Sequence, residues 1–67
     1  MLLKHTKKGT IVRLYENHPE GILYVRCHYE RSSKMYMLIK KSEHHGPSQY
    51  PESAIRYCSG DTEVEVA

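Results

Sequence analysis

The sequence contains neither Trp nor Phe, and its two cysteines, Cys27 and Cys58, form no C-x-x-C spacing. No apolar run approaches the roughly 20 residues that cross a bilayer, so we expect no membrane-spanning segment. Lys and Arg exceed Asp and Glu by only 10 to 8, so composition alone does not indicate nucleic-acid binding. With 67 residues the chain has room for one domain and not for a multidomain enzyme.

The cysteines and the N-terminal residues indicate which cellular compartment to expect. Residues 1–8 include basic side chains but no apolar stretch after them, so we expect no secretory signal and a cytoplasmic location. In a reducing compartment both cysteines are free thiols, and each is expected to be a small buried side chain. Cys27 and His28 are adjacent and would point to opposite faces of a strand, so we predict no metal site and no cofactor.

What the chain does contain is a series of short segments rich in β-branched and aromatic residues, separated by turn residues. Pro19 and Gly21 suit a turn in which Gly21 takes a left-handed conformation. Pro51 suits the start of a helical turn at 51–54, and a longer helix over 51–58 is the alternative. The predicted strands are 10–15, 22–30, 34–41, 55–58 and 62–66, with a long loop at 42–50 and residues 1–9 expected to be flexible.

Five strands in so short a chain must curl to bury a core. We therefore predict one small, mostly all-β domain over residues 1–67, a five-stranded, partly open barrel of the SH3-like type. Its strands would follow each other as an antiparallel meander, with one short helical turn near 51–54. Barrels of this kind serve many unrelated functions, so the fold class alone does not indicate what the protein does.

Alternation of apolar and polar residues predicts which side chains face the core, because successive side chains of a strand point to opposite faces. In the first strand this favours Val12 and Leu14 as the inward pair. The other predicted inward residues are Leu23, Val25, Cys27 and Tyr29 of the second strand, Met35, Met37 and Ile39 of the third, and Val64 and Val66 of the last.

The remaining side chains would then form a basic, tyrosine-bearing sheet face. Lys and Arg neutralise phosphates, and tyrosine rings stack on exposed bases, so this face is suited to single-stranded RNA or DNA. Tyr, Arg and Lys are also ordinary residues for the solvent face of a strand, which is the alternative without a function. The predicted binding residues are Arg13, Tyr15, Tyr24, Arg26, His28, Lys34, Tyr36 and Lys40.

The small net charge hides an uneven distribution along the chain. Residues 1–41 hold nine Lys or Arg and three Glu, a net charge of +6, whereas residues 42–67 hold one Arg and five acidic residues, a net charge of −4. The two halves could leave a basic surface free for a partner. Alternatively, the acidic last strand pairs with the basic first strand and cancels its charge.

These observations favour a non-enzymatic binding module. The sequence has no nucleophile elbow and no phosphate-binding loop, and so short a chain can hardly support a catalytic group. Nucleic acid is the first predicted partner. The alternative is a small protein-binding regulator or inhibitor, of the phage or bacterial accessory type, that docks on an acidic protein surface. A homodimer formed through open sheet edges is a further hypothesis.

Overall fold

The computed structural model describes residues 1–16, 18–44 and 49–67 of the chain. The strands are β1 (Ile11–Leu14), β2 (Ile22–Glu30), β3 (Met35–Lys40), β4 (Ile55–Ser59) and β5 (Glu65–Val66). The described helical elements are single 3₁₀ turns at Leu3–His5, Lys41–Glu43 and Glu52–Ala54. Within these ranges, no helix has the length and apolar character needed to cross a bilayer.

The strands form one open antiparallel sheet in the order β4-β3-β2-β1-β5. Strands β1 to β4 are a meander, and β5 returns to pair with β1. Arg56 of β4 donates a hydrogen bond to Glu16, which follows β1. Since two strands separate β4 from β1 in the sheet, this contact shows that the sheet curls. The predicted fold class is confirmed: the structure is mostly β, with five strands arranged as in a small, partly open barrel.

The turn residues behave as the sequence predicts. Gly21 has a φ of 76°, a conformation that glycine adopts without strain. The 3₁₀ turn at Glu52–Ala54 leads directly into β4, so a turn followed by a strand is confirmed and the helix over 51–58 is wrong. Asn17 in the first turn, and residues 45–48 of the predicted loop 42–50, lie outside the described residues.

The main hydrophobic core lies on the inner face of the curled sheet. As predicted, Val12 and Leu14 point into it, and so does Val64. Leu3, from the segment before the first strand, is fully buried in the same cluster. The members of this cluster are Leu3, Val12, Leu14, Tyr24, Leu38, Cys58 and Val64, with Ile22 and Tyr36 packed against them.

The predicted inward faces of β2 and β3 are wrong. Tyr24, predicted to face outward, is only 5% exposed and lies in the core, and Leu38 is fully buried beside it. The register explains the change, because Tyr24 is paired with Val12 and therefore shares its face. Both alternating sets of β2 contain large apolar side chains, so periodicity could not decide which set would meet the core.

The set predicted to be inward lies instead on the outer face of the sheet. On this face four β-branched residues, of which Val25 and Ile39 were predicted to be inward, form one row across four strands. Ile11 pairs with Val25, Val25 with Ile39, and Ile39 with Ile55. Val25 and Ile39 are buried as predicted, but they are not part of the main core cluster. Met35, also predicted to be inward, is exposed.

The last strand is shorter than predicted. Only Glu65–Val66 pairs continuously with β1, and Glu63 forms an isolated bridge with Leu2. Val64 is buried as expected. Val66 pairs with Val12 and therefore shares the predicted face, but it is 46% exposed. Val66 lies in the two-residue strand at the edge of the sheet, and none of the described strands pairs with the other side of β5.

Candidate nucleic-acid interface

A β-bulge in β2 brings two tyrosines together. Between Arg26 and Tyr29 the register with β3 shifts, so that Arg26 pairs with Leu38 and Tyr29 pairs with Tyr36. The extra residue moves Tyr29 onto the same face as Tyr36, and the two ring centroids lie 4.8 Å apart at an angle of 53°. Tyr29, predicted as a core residue, is 42% exposed, so that prediction is wrong.

Arg26 completes this cluster from the other side of Tyr36. Its guanidinium carbon lies 4.4 Å from the centre of the Tyr36 ring, a cation–π contact. Arg26 Nε is buried and has no hydrogen-bond partner in the described part of the chain, and the guanidinium packs on the Tyr36 ring. Tyr36 packs on the main core and contacts the Tyr29 ring, so it restricts the movement of that ring. We call Arg26, Tyr29 and Tyr36 the tyrosine cluster.

The tyrosine cluster lies at the end of the barrel that carries the β2–β3 turn, which we call the hairpin end. The segment before β1 runs along this end, since the Gly9 amide donates to the Arg26 carbonyl over 2.7 Å. Lys8 is close enough to lower the pKa of Cys27, although burial of that thiol dominates and raises it. The cationic side chains placed at the hairpin end are Lys4, Lys7, Lys8, Arg26, Arg31 and Lys34.

Most of these cations have no carboxylate partner. Lys4 binds Asp61 at 2.9 Å, and Glu30 accepts a hydrogen bond from Ser32. Among the described residues no acidic side chain forms an ion pair with the others, which are Lys7, Lys8, Arg26, Arg31 and Lys34. The hairpin end therefore carries an excess of positive charge beside a half-exposed aromatic ring.

Elsewhere the acidic C-terminal segment does neutralise the N-terminal half. Glu63 binds the N-terminal amino group at 2.8 Å, and Glu65 lies 3.6 Å from Arg13. The alternative in which the last strand cancels charge on the first therefore holds for the pair of Glu65 and Arg13. At the hairpin end Asp61 of this segment neutralises Lys4, whereas in the described part of the chain Lys7 and Lys8 form no ion pair with residues 61–65.

Arg13 and Tyr15 are separated from the tyrosine cluster. Arg13 Nη1 donates to the Glu20 carbonyl at 2.9 Å, and the Tyr15 hydroxyl donates to Glu65 at 2.9 Å. This hydrogen bond raises the pKa of Tyr15 above its ordinary value. Both side chains thus belong to a polar network with the last strand rather than to the predicted tyrosine face.

Tyr24 and Lys40 also lie away from the tyrosine cluster. They are register partners at the opposite end of β2 from the tyrosine cluster, and the Tyr24 ring is in the core. Arg56 lies close to Tyr24, and its hydrogen bond with Glu16 is the main cause that raises the pKa of Arg56. Tyr24 therefore supports the barrel and offers no surface for stacking.

The remaining predicted residues lie at or near the hairpin end. His28 is part of the bulge, and its Nε2 is 3.7 Å from Glu30. Lys34 is exposed in the β2–β3 turn, where it has a φ of 58°. Of the eight residues predicted from the sequence, the structure brings together Arg26, His28, Lys34 and Tyr36.

The thiols and the described histidines form no cluster suited to a metal ion. Cys27 and Cys58 are both free, and Cys58 belongs to the core. No group of three or more His, Cys, Asp or Glu side chains that could hold a metal ion occurs within residues 1–16, 18–44 and 49–67.

Gly60 leaves room for the tyrosine cluster. A Cβ at this position would lie 2.9 Å from Lys4 Cβ and 3.2 Å from Cε2 of Tyr36, so Lys4 and Tyr36 meet there. We expect Gly60→Ala to lower the free energy of unfolding by about 1–3 kcal/mol, because it overpacks this contact. Urea denaturation would measure the change, and an unaltered midpoint would show that the Tyr36 ring is not confined by Gly60.

Tyr29 is the residue that sequence reasoning missed. The structure inverts the faces predicted for β2, and the bulge then returns Tyr29 to the inner face, where it is exposed at the hairpin end. The sequence carries no clear local signal for this bulge. Comparison with protein-family models, with curated proteins and with solved structures found no match to this chain.

Proposed function

We propose that this protein is a non-enzymatic module that binds single-stranded nucleic acid at the hairpin end. The observation that carries the proposal is the half-exposed Tyr29 ring, held against Tyr36 at the hairpin end, where most of the cations form no ion pair with an acidic residue that the structure describes. Lysine and arginine side chains neutralise phosphates, and an aromatic ring with one open face stacks on a base. These are the two elements that binding to a single strand requires.

The geometry favours a single strand over a duplex. Bases in a duplex are stacked on each other and offer no free face, whereas a single strand can place an unstacked base on Tyr29. The tyrosine cluster is rigid at its base, because Tyr36 contacts the core and Arg26 covers its other side. A fixed ring loses little conformational entropy on binding, which supports its use as a stacking surface.

A cytoplasmic location is part of the proposal. Both thiols are unpaired, and free cysteines persist where the glutathione and thioredoxin systems keep them reduced. Single-stranded RNA is abundant in that compartment and is the first ligand to test.

The dependence of the binding affinity on salt concentration tests whether lysines at the hairpin end contact phosphates. We expect the affinity for a fluorescein-labelled oligonucleotide to fall with salt, with a log–log slope of about −0.7 for each phosphate contact. Lys7→Gln with Lys8→Gln should reduce the magnitude of that slope by about 1.4, since two contacts are lost. Fluorescence anisotropy at several salt concentrations gives the slope.

The chain offers a matched control for this double variant. Lys40 and Lys41 are also consecutive lysines, and they lie at the other end of β3. Changing both to glutamine alters the net charge equally but should leave the slope almost unchanged. Equal slopes for the two double variants would contradict a localised site, and absence of any salt-sensitive binding would contradict the proposed function itself.

An acidic protein surface is the second candidate partner, because the same unpaired cations would attract it. Small regulators and inhibitors act in this way, by covering part of a larger protein. Such a partner would be recovered from a lysate after nuclease treatment, and its binding would not depend on the face of the Tyr29 ring.

A further inference from the structure

The two edges of the sheet differ in length. β5, at one edge, pairs over only two residues, whereas β4, at the other, runs over five residues from Ile55 to Ser59. In the described part of the chain nothing pairs with the outer side of β4. Alternate residues of an edge strand direct their N–H and C=O groups away from the sheet, so β4 offers a template for another strand.

β4 lacks several of the features that usually protect an edge, and Arg56 is its one charged residue. The strand contains no lysine, no proline and no bulge among its paired positions. Its single charged residue, Arg56, is engaged by Glu16 across the opening of the barrel. A second strand that approached this edge would therefore meet no unneutralised charge on it.

An apolar patch lies beside this edge on the outer face of the sheet. Met37 pairs with Tyr57, and Met35 pairs with Ser59, which places the three large side chains on one face. Tyr57 is 47% exposed and Met35 is exposed as well. The patch and the open edge are contiguous, and the tyrosine cluster belongs to the other face.

We propose that β4 pairs antiparallel with β4 of a second copy of this chain, around a two-fold axis at Tyr57. In this register Tyr57 lies opposite Tyr57 of the other copy, Arg56 opposite Cys58, and Ile55 opposite Ser59. The edge is self-complementary in charge, because each pair contains at most one charged residue and that residue is neutralised within its own copy. The two apolar patches then adjoin on one face of a ten-stranded sheet. This proposal does not depend on the nucleic-acid site.

The interface is small, and we therefore expect a low affinity between the two copies. A five-residue edge with three neighbouring side chains falls short of the about 800 Å² per partner that stable interfaces bury. The dimer is therefore weak, with a dissociation constant of about 10⁻⁴ M. It forms at high local concentration and is largely dissociated at low micromolar protein.

Sedimentation velocity of the full chain over about 10 µM to 1 mM tests the dimer. The sedimentation coefficient should rise from the monomer value towards that of a dimer. Tyr57→Lys places two like charges opposite each other and should weaken association about tenfold or more. Tyr29→Lys is the matched control, since Tyr29 is similarly exposed but lies on the opposite face of the sheet, with β3 between it and β4, and it should leave association unchanged.

Cross-linking tests the register without relying on the stability of the charged variant. In a Cys27→Ser background, Tyr57→Cys should form a disulfide-linked dimer under mild oxidation, because the two positions face each other across the axis. Tyr29→Cys in the same background should not. A chain that stays monomeric at 1 mM, or a dimer that Tyr57→Lys does not weaken, would overturn the proposal, and so would equal cross-linking at both positions.

Discussion

Replacing Tyr24 by alanine should unfold most of the protein at 25 °C. The ring is buried in the main core, and removing a buried aromatic side chain costs about 3–5 kcal/mol. A domain of this size has a total stability on the order of 3–5 kcal/mol, so the loss is comparable with the whole. Circular dichroism during urea denaturation would show a transition shifted close to zero denaturant.

Two further variants separate the contribution of the ring from other effects. Tyr24→Phe keeps the ring and removes only the hydroxyl near Arg56, so we expect a loss of about 1 kcal/mol. Tyr57→Ala removes the same type of side chain from the outer face and should change stability by no more than about 0.5 kcal/mol. If Tyr24→Ala were as stable as Tyr57→Ala, Tyr24 would face solvent and the inner face of β2 would be assigned wrongly.

Tyr29→Ala should weaken binding to a single-stranded oligonucleotide by about 1–3 kcal/mol, the range for loss of one base stack. This corresponds to an affinity roughly 5- to 150-fold lower. The fold should persist, because Tyr29 lies outside the core cluster and is half exposed. Fluorescence anisotropy at low micromolar protein, where the proposed dimer is dissociated, gives the affinity.

Tyr57→Ala is again the control, since both tyrosines are exposed to a similar extent on opposite faces of the sheet. Tyr29→Phe should retain most of the affinity because it preserves the stacking ring. Equal losses for Tyr29→Ala and Tyr57→Ala would argue against a localised stack. Unchanged binding by Tyr29→Ala would leave charge alone as the source of affinity and favour the acidic protein partner.

The candidate site could be predicted only in part. Arg26 and Tyr36 were identified from their residue types, and the structure brings them into contact. Tyr29 could not be identified, since it contacts Tyr36 only through a bulge that reverses the alternation of β2. Arg13 and Tyr15 were chosen for their chemistry, but their availability depends on Glu65, which is about 50 residues away in the chain.

The first four strands to within a residue or so at each end, the turn at Gly21 and the 3₁₀ turn before β4 were determined by the sequence alone. These features depend on local preferences: β-branched residues favour strands, and glycine and proline fix the backbone at turns. Which face of β2 and β3 meets the core was decided only by the tertiary structure. Both faces of these strands carry large apolar side chains, so the choice depends on pairing with Val12 and Leu14 in β1. The same holds for charge, because whether a cation is free or neutralised depends on which distant strand lies beside it.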